Sequence, residues 1–504
     1  MNKISSKLKF GEKLGYGCGD LGSVLFWQTI MIHLLFFYTD VFGLEAKVAG
    51  VMFFVSRVLD AVFDVVIGMT ADRTKSRWGK FRPYILFGAL PLCVAAVFAF
   101  TTPDFGEIGK IIYAYTTFIL FMFLYSTVNI PYTSLLGVIS GDPHERTKAA
   151  SFKFVGAFLA GIIVSATALP FAEKFGGGTD DTKGWQMTIM IYAVAAFIFF
   201  MITFLSTRER IKPVAKEKTN VKRDLKDISR NIPWVLLFIV TILFILFVCI
   251  RLSVTNHYFK YYVEEQVVPW LSQAFNVVNK YILNPVLRLL NRTENELLAS
   301  DHKFGFEVLA SIFHTIGQTV SLIGVLLVPY FAKAVGRKHA IMILLIVALI
   351  CTSTFAFFKP TDLILIYVFQ IFGSITGGPI SPLLWVLYAD TADYSEWKTG
   401  RRATGLVFSA SIMSNKLGWA FGSMIAAFIL SMTQFDPDTF FTLEDPSQIY
   451  SIKNGLKAMM SYIPVIAGII ALVIIAFFYK LDETKMQKVK ADLDAKRGGK
   501  EDTE

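Results

Sequence analysis

Apolar residues along this chain gather into long runs, separated by short segments that carry most of the charge. A bilayer core is about 30 Å thick and takes about 20 apolar helical residues to cross. Lipid offers no partner for backbone N–H and C=O groups, so each crossing must be a helix that pairs its own. Twelve segments meet that test: 21–43, 47–70, 84–103, 110–135, 150–171, 186–206, 233–256, 308–331, 340–358, 362–389, 404–430 and 458–479. The pattern predicts an all-α membrane protein. The first run holds Trp27 and His33 and is followed at once by another span, unlike a cleaved signal peptide. One connection, 257–305, is too long for a helix hairpin. Within it, Leu271, Phe275, Val278, Ile282, Val286 and Leu289 recur at helical spacing and predict amphipathic helix on the face opposite the termini.

Composition agrees with the pattern. The 504 residues are 54% hydrophobic and 17% charged, and the mean hydropathy is +0.54. Such a chain is neither disordered nor an ordinary soluble domain. The net charge of +10 does not form a nucleic-acid-binding face. With the N-terminus in the cytoplasm, 34 of the 49 Lys and Arg fall on the inner side, so the charge reports topology. Both termini are then cytoplasmic, and the expected address is a cell inner (plasma) membrane. The four cysteines have neither disulfide nor zinc spacing and read as small buried hydrophobes.

The inner segment 207–232 separates six spans from six. It divides the chain into an N-terminal bundle (1–206), a C-terminal bundle (233–479, with the insertion 257–305) and a cytoplasmic tail (480–504). A faint repeat supports two related halves: GMTADRTKSRWGK at 68–80 follows span two, and KAVGRK at 333–338 follows span eight. Paired halves of this kind are a transporter plan.

Several charges do not belong in lipid. Arg57, Asp60 and Asp64 lie at spacings of three and four in span two and share one helical stripe. A charge at the bilayer centre costs about 2.5 to 3.5 kcal/mol, so the stripe faces a polar interior. It is either a helix-stapling ion pair of Arg57 with Asp60 or a site where two carboxylates collect a cation, sodium or a proton, with Arg57 balancing the empty site. A second cluster, Asp390 to Arg402, closes span ten. If the helix breaks there, Asp393 and Lys398 can turn toward the cavity. Tyr125, Asn129, Tyr132 and Thr133 around Pro131 offer the amide and hydroxyl partners that a polyol needs. Lys153 opens span five. Arg251 and Lys416, deep in spans seven and eleven, must face protein or cavity but have no evident partner.

GYGCGD at 15–20, FYTDVFGL at 37–44, RVLDAVFD at 57–64, RTKSRWGKFRPYI at 73–85, NIPYTSL at 129–135 and ADTADYSEWKTGRR at 389–402 together resemble the glycoside-pentoside-hexuronide cation symporter family, typified by the melibiose carrier. The resemblance implies a major facilitator fold of 12 transmembrane helices in two six-helix bundles. It also implies symport of a sugar or sugar derivative with sodium or a proton by alternating access. By motif, Asp60 and Asp64 match the family's cation carboxylates, Arg57 their basic companion, Lys398 the lysine after the acidic motif and Lys153 a sugar-site base. Departures stand beside the matches. Val24 replaces an acidic residue of span one, with Asp20 one turn earlier, while Asn129 and Thr133 replace an acid and a tryptophan of span four. Fewer cavity carboxylates favour an anionic sugar or a neutral pentoside over melibiose, and a proton over sodium.

Other classes fit less well. The chain has no HExxH, GxSxG or P-loop pattern, so an enzyme is not expected, and no filter signature marks a channel. A non-transporting scaffold or sensor on the same fold is the alternative. The expected partners are a small sugar and the lipid bilayer, with no nucleic acid, obligate protein partner or cofactor beyond the coupling ion.

Overall fold

The computed structural model describes residues 7–140, 143–178, 181–210, 231–267, 273, 303–399, 404–481 and 483–501. The amphipathic stretch expected at 267–290 lies almost wholly outside them, as do Arg401, Arg402 and most of the central segment.

The first part of the chain forms α1 (Phe10–Phe36), α2 (Ala46–Arg73), α3 (Arg82–Ala99), α4 (Glu107–Leu135), α5 (Pro143–Gly176) and α6 (Thr182–Ser206). The second forms α7 (Ile232–Tyr261), α8 (Phe306–Val335), α9 (Arg337–Ser353), α10 (Leu363–Gly377), α11 (Ile380–Thr399), α12 (Thr404–Met432), α13 (Pro446–Met460) and α14 (Tyr462–Val473). A last helix, α15 (Glu483–Glu501), follows. A two-residue pairing of β1 (Gln266–Val267) with β2 (Lys303–Phe304) ties the ends of the long insertion.

Local chemistry sets the boundaries. Asp181 and Asn231 accept hydrogen bonds from backbone N–H groups of α6 and α7, which the first helical turn leaves unpaired. Gly79 (φ 107°) and Gly336 (φ 84°) occupy a backbone region that other residues enter at a cost, and each sits in one of the two repeated basic loops. Each loop is held by an acid from farther along the chain. Glu209, after α6, accepts from the N–H groups of Lys80, Phe81 and Arg82, while Glu483, after α14, pairs with Arg337.

Ten helical spans among the described residues are long and apolar enough to cross a membrane. Their exposed faces carry stripes such as Phe87, Leu90, Val94 and Phe98 on α3, the pattern of a lipid-facing helix. The 28-residue α2 and 29-residue α12 have spanning length but fall outside that set, and they carry Arg57, Asp60, Asp64 and Lys416. These two helices pack on one another.

The packing partners repeat. In the first part α1 lies against α5 and α6, α2 against α4, and α3 against α4 and α6. In the second, α7 lies against α12 and α14, α8 against α10, and α9 against α10 and α14. The parts meet where α2 packs on α12, α5 on α8 and α1 on α7. At the α1–α5 crossing a Cβ on Gly156 would stand 2.4 Å from the Gly17 carbonyl oxygen, so small residues bring the two backbones together.

One expectation changes. The helix does not break near Asp393: α11 runs unbroken to Thr399, and the interruption falls earlier, between Gly377 and Ile380. Gly378 and Pro379 explain this, because proline removes a helical donor and clashes with the preceding turn, whereas 390–399 contains no breaker. The last span also begins sooner than expected, at Pro446, and bends at Ser461.

Candidate cation and substrate site

The stripe on α2 faces protein. Asp60 is 2% exposed and Arg57 4%, both well inside the packed core. Lys416, from α12, reaches across and sets its ammonium 2.8 Å from Asp60 Oδ2 and in contact with Asp64 Oδ2. Ser126, from α4, places its hydroxyl 2.7 Å from Asp60 Oδ1 and 2.8 Å from Asp64 Oδ1. A hydroxyl has one proton to donate, so it serves one carboxylate at a time unless the other carboxyl is itself protonated and donates back. Two carboxylates one turn apart, joined by a single hydroxyl and an ammonium, form a site able to exchange one cation for another.

Arg57 is not stapled to Asp60. Its guanidinium lies 4.5 Å over the Trp27 ring, with one terminal nitrogen 3.9 Å from the Met31 sulfur and the other without a hydrogen-bond partner. Trp27 stacks on Tyr125 at 5.5 Å. The cation–π contact lets a charge be buried without an acid beside it.

The expected substrate residues separate into groups. Asp20 and Lys153 approach to 3.8 Å across the α1–α5 crossing, and the Lys153 ammonium lies 5.5 Å over the Tyr132 ring. Tyr132 is fully buried and donates to the Tyr16 carbonyl at 2.7 Å, so its hydroxyl is engaged within the protein. Asn129 is partly buried and Thr133 exposed. Lys398 is exposed in the last turn of α11; next to it Trp397 donates to Asp492 of α15 at 2.9 Å. Asp393 lies partly buried on the same stretch. The lysine between Asp60 and Asp64 is therefore Lys416 and not Lys398. Its position deep in an apolar run was the signal, but the nearer of its two partners in sequence lies 352 residues away. Ser126 and Trp27 were missed because a serine and a tryptophan in a membrane helix attract no notice in sequence.

Beyond Lys416 on α12, Trp419 lines a cavity of about 290 Å³ walled by α7, α8, α10 and the start of α11. Toward the α1–α2 end the space is closed. Asn256 of α7 donates to the His33 ring at 2.8 Å and accepts from His314 at 3.3 Å. One turn farther, Asp40 is enclosed by His257 at 3.1 Å, Lys260 at 3.2 Å and the Tyr261 hydroxyl.

A family model described as MFS/sugar transport protein matches residues 15–286 and 299–483. The chain belongs to that family. It is 31% identical over 490 residues to the inner membrane symporter YicJ of Escherichia coli (strain K12), covering 97% of this chain and 96% of that protein. It is also 31% identical to the isoprimeverose transporter of Lactiplantibacillus pentosus, with 97% and 92% covered. Among solved structures, a bacterial homologue of the human lysosomal transporter Spinster, inward-facing and unoccupied, matches with a TM-score of 0.61 at 13% identity over 92% of this chain and 95% of that one. The fold is therefore that of a multi-pass major facilitator transporter, and the chain is a secondary transporter of the sugar or glycoside type rather than an enzyme.

Proposed function

We propose that this protein is a symporter that couples sugar or glycoside uptake across a bacterial inner membrane to a proton, with both termini cytoplasmic. Two six-helix halves, 1–206 and 233–479, rock about a central site. What supports the two halves is the repetition of packing partners and the matching clasps of Glu209 and Glu483 on the two basic loops. The orientation rests on the distribution of Lys and Arg. The sugar class follows that of the relatives, and the polar groups near Asp20, Asn129 and Lys153 furnish the wall of the first half.

The observation that carries the coupling is Lys416 seated between Asp60 and Asp64. The two acids of α2, Lys416 and Arg57 sum to zero charge, so the empty site is stable with the ammonium as an internal cation. A proton arriving at Asp64, the more accessible acid with 18% side-chain exposure against 2% for Asp60, weakens its hold on Lys416 and loosens the α2–α12 contact. Because coupling between two ligands is reciprocal, a sugar that favours the released state also tightens proton binding.

The test is uptake into reconstituted vesicles of labelled pentosides, hexuronides and disaccharides under a pH or a sodium gradient. Asp60→Asn is expected to abolish accumulation against the gradient while leaving sugar exchange. Undiminished gradient-driven uptake in that variant overturns the site, and uptake driven by sodium alone overturns the proton.

A further inference from the structure

The cavity beside Trp419 contains a charge with no counter-ion. Arg251 projects into it from the middle of α7, and its guanidinium donates to Thr352 Oγ1 at 3.3 Å and to Gln370 Oε1 at 3.2 Å. Its Nε is buried without a hydrogen-bond partner, and among the described residues no carboxylate pairs with it. The ring of Phe355 lies 5.0 Å from the guanidinium carbon. The partners that hold Arg251 are thus neutral, and they fix its direction without cancelling its charge. Arg251 is also the one Lys, Arg, Asp or Glu among the residues lining this cavity.

A guanidinium left unpaired within a membrane bundle is expensive, and such residues mark the route or the site of a ligand. A strut between helices needs hydrogen-bond donors and not a charge, since both partners here are neutral. What the charge adds is affinity for an anion, and the planar fork suits the two oxygens of a carboxylate. The remaining lining fits a sugar ring. Gln318, Ser321 and Ser374 offer hydroxyl and amide partners, and Phe244 and Phe313 offer apolar faces. At about 290 Å³ the space lies at the small end of ligand pockets, which run from about 300 to 1,000 Å³, and suits one sugar unit.

We infer that Arg251 is the specificity-determining residue for an acidic sugar, holding the carboxylate of a hexuronide in the cavity of the second half. This deepens the proposed symport and rests on it. Trp419 links the two sites: it lines the cavity and follows Lys416 by one turn of α12, so an occupant there bears on the helix that supplies the internal cation.

Binding is measured by calorimetry on the purified full chain in detergent, using methyl hexuronides of the gluco, galacto and manno series against the corresponding uncharged methyl hexosides, which differ only at C6. The wild type is expected to prefer at least one uronide over its neutral counterpart by at least tenfold. Arg251→Gln is expected to weaken that uronide about ten- to a hundredfold while leaving the neutral sugar within threefold, and Arg251→Lys to recover part of the loss. Equal weakening of both sugars by Arg251→Gln means a structural strut and overturns the assignment. So does a uronide preference that survives the substitution, or binding of neither sugar series. The readout needs no gradient. Failure here with Asp60-dependent neutral-sugar uptake intact overturns Arg251 alone, whereas loss of coupling in vesicles strikes the symport reading.

Discussion

Lys416 and Arg251 are both basic side chains deep in membrane helices, yet their surroundings are opposite. Lys416 touches two carboxylates on α2, far away in the chain, whereas Arg251 touches two neutral groups, on α9 and α10. A charge already matched can respond only by exchange, as when a proton takes the place of the ammonium. A charge held by neutral partners stays available for an incoming anion. The first arrangement suits a coupling ion and the second a substrate. The difference shows why burial alone does not assign a role: what decides is which groups would be left unpaired if the charge were removed.

That contrast can be broken most directly by removing each base. Lys416→Met leaves Asp60 and Asp64 facing one another, and breaking a buried pair in this way typically costs about 3 to 5 kcal/mol. Its thermal stability in detergent is expected to fall sharply, with partial recovery when Asp64→Asn is added. Arg251→Met leaves only a hydroxyl and an amide unpaired and is expected to lose about 1 kcal/mol. Comparable losses for the two variants would erase the distinction. An effect between these two is expected at the closed end of α1 and α7. Asp40→Asn removes the carboxylate charge that His257 and Lys260 surround and is expected to cost about 2 to 3 kcal/mol of local closure, less than the loss of Lys416 because the asparagine amide oxygen can still accept from these partners. Amide exchange over Phe36–Val41 should quicken in that variant; unchanged exchange would mean that the cluster does not hold the end shut.

The smallest effect is expected at Glu145, in the first turn of α5, where it pairs with Lys13 and Lys148. Glu145 is held at about 2, from an ordinary 4.5, chiefly by hydrogen bonds from Lys13 and Lys148 and also by the Leu8 N–H. Because the folded value is depressed, its contribution is complete above the unfolded value near 4.5 and is lost only as the pH falls toward 2. Glu145→Gln should therefore shift the melting temperature by a constant amount between about pH 5 and 8. A slope in that window would draw Glu145 into the proton response assigned to Asp60 and Asp64.

How far the site was legible follows from the range of its interactions. Arg57, Asp60 and Asp64 declare themselves because three charges interrupt one apolar run, and helical spacing alone puts them on one face. Lys416 and Arg251 were visible as anomalies but could not be matched, since their neighbours are supplied by other helices. The motif pointed to Lys398, and the unbroken course of α11 leaves that residue exposed in its last turn.

The chain by itself determined where its apolar runs fall and which of them carry charge, because lipid penalises every unpaired backbone group and every exposed charge wherever it occurs. Only the tertiary structure decided that Lys416 meets Asp60 and Asp64 while Arg251 meets Thr352 and Gln370. Pairing depends on distances between helices far apart in sequence, and no local pattern encodes a distance.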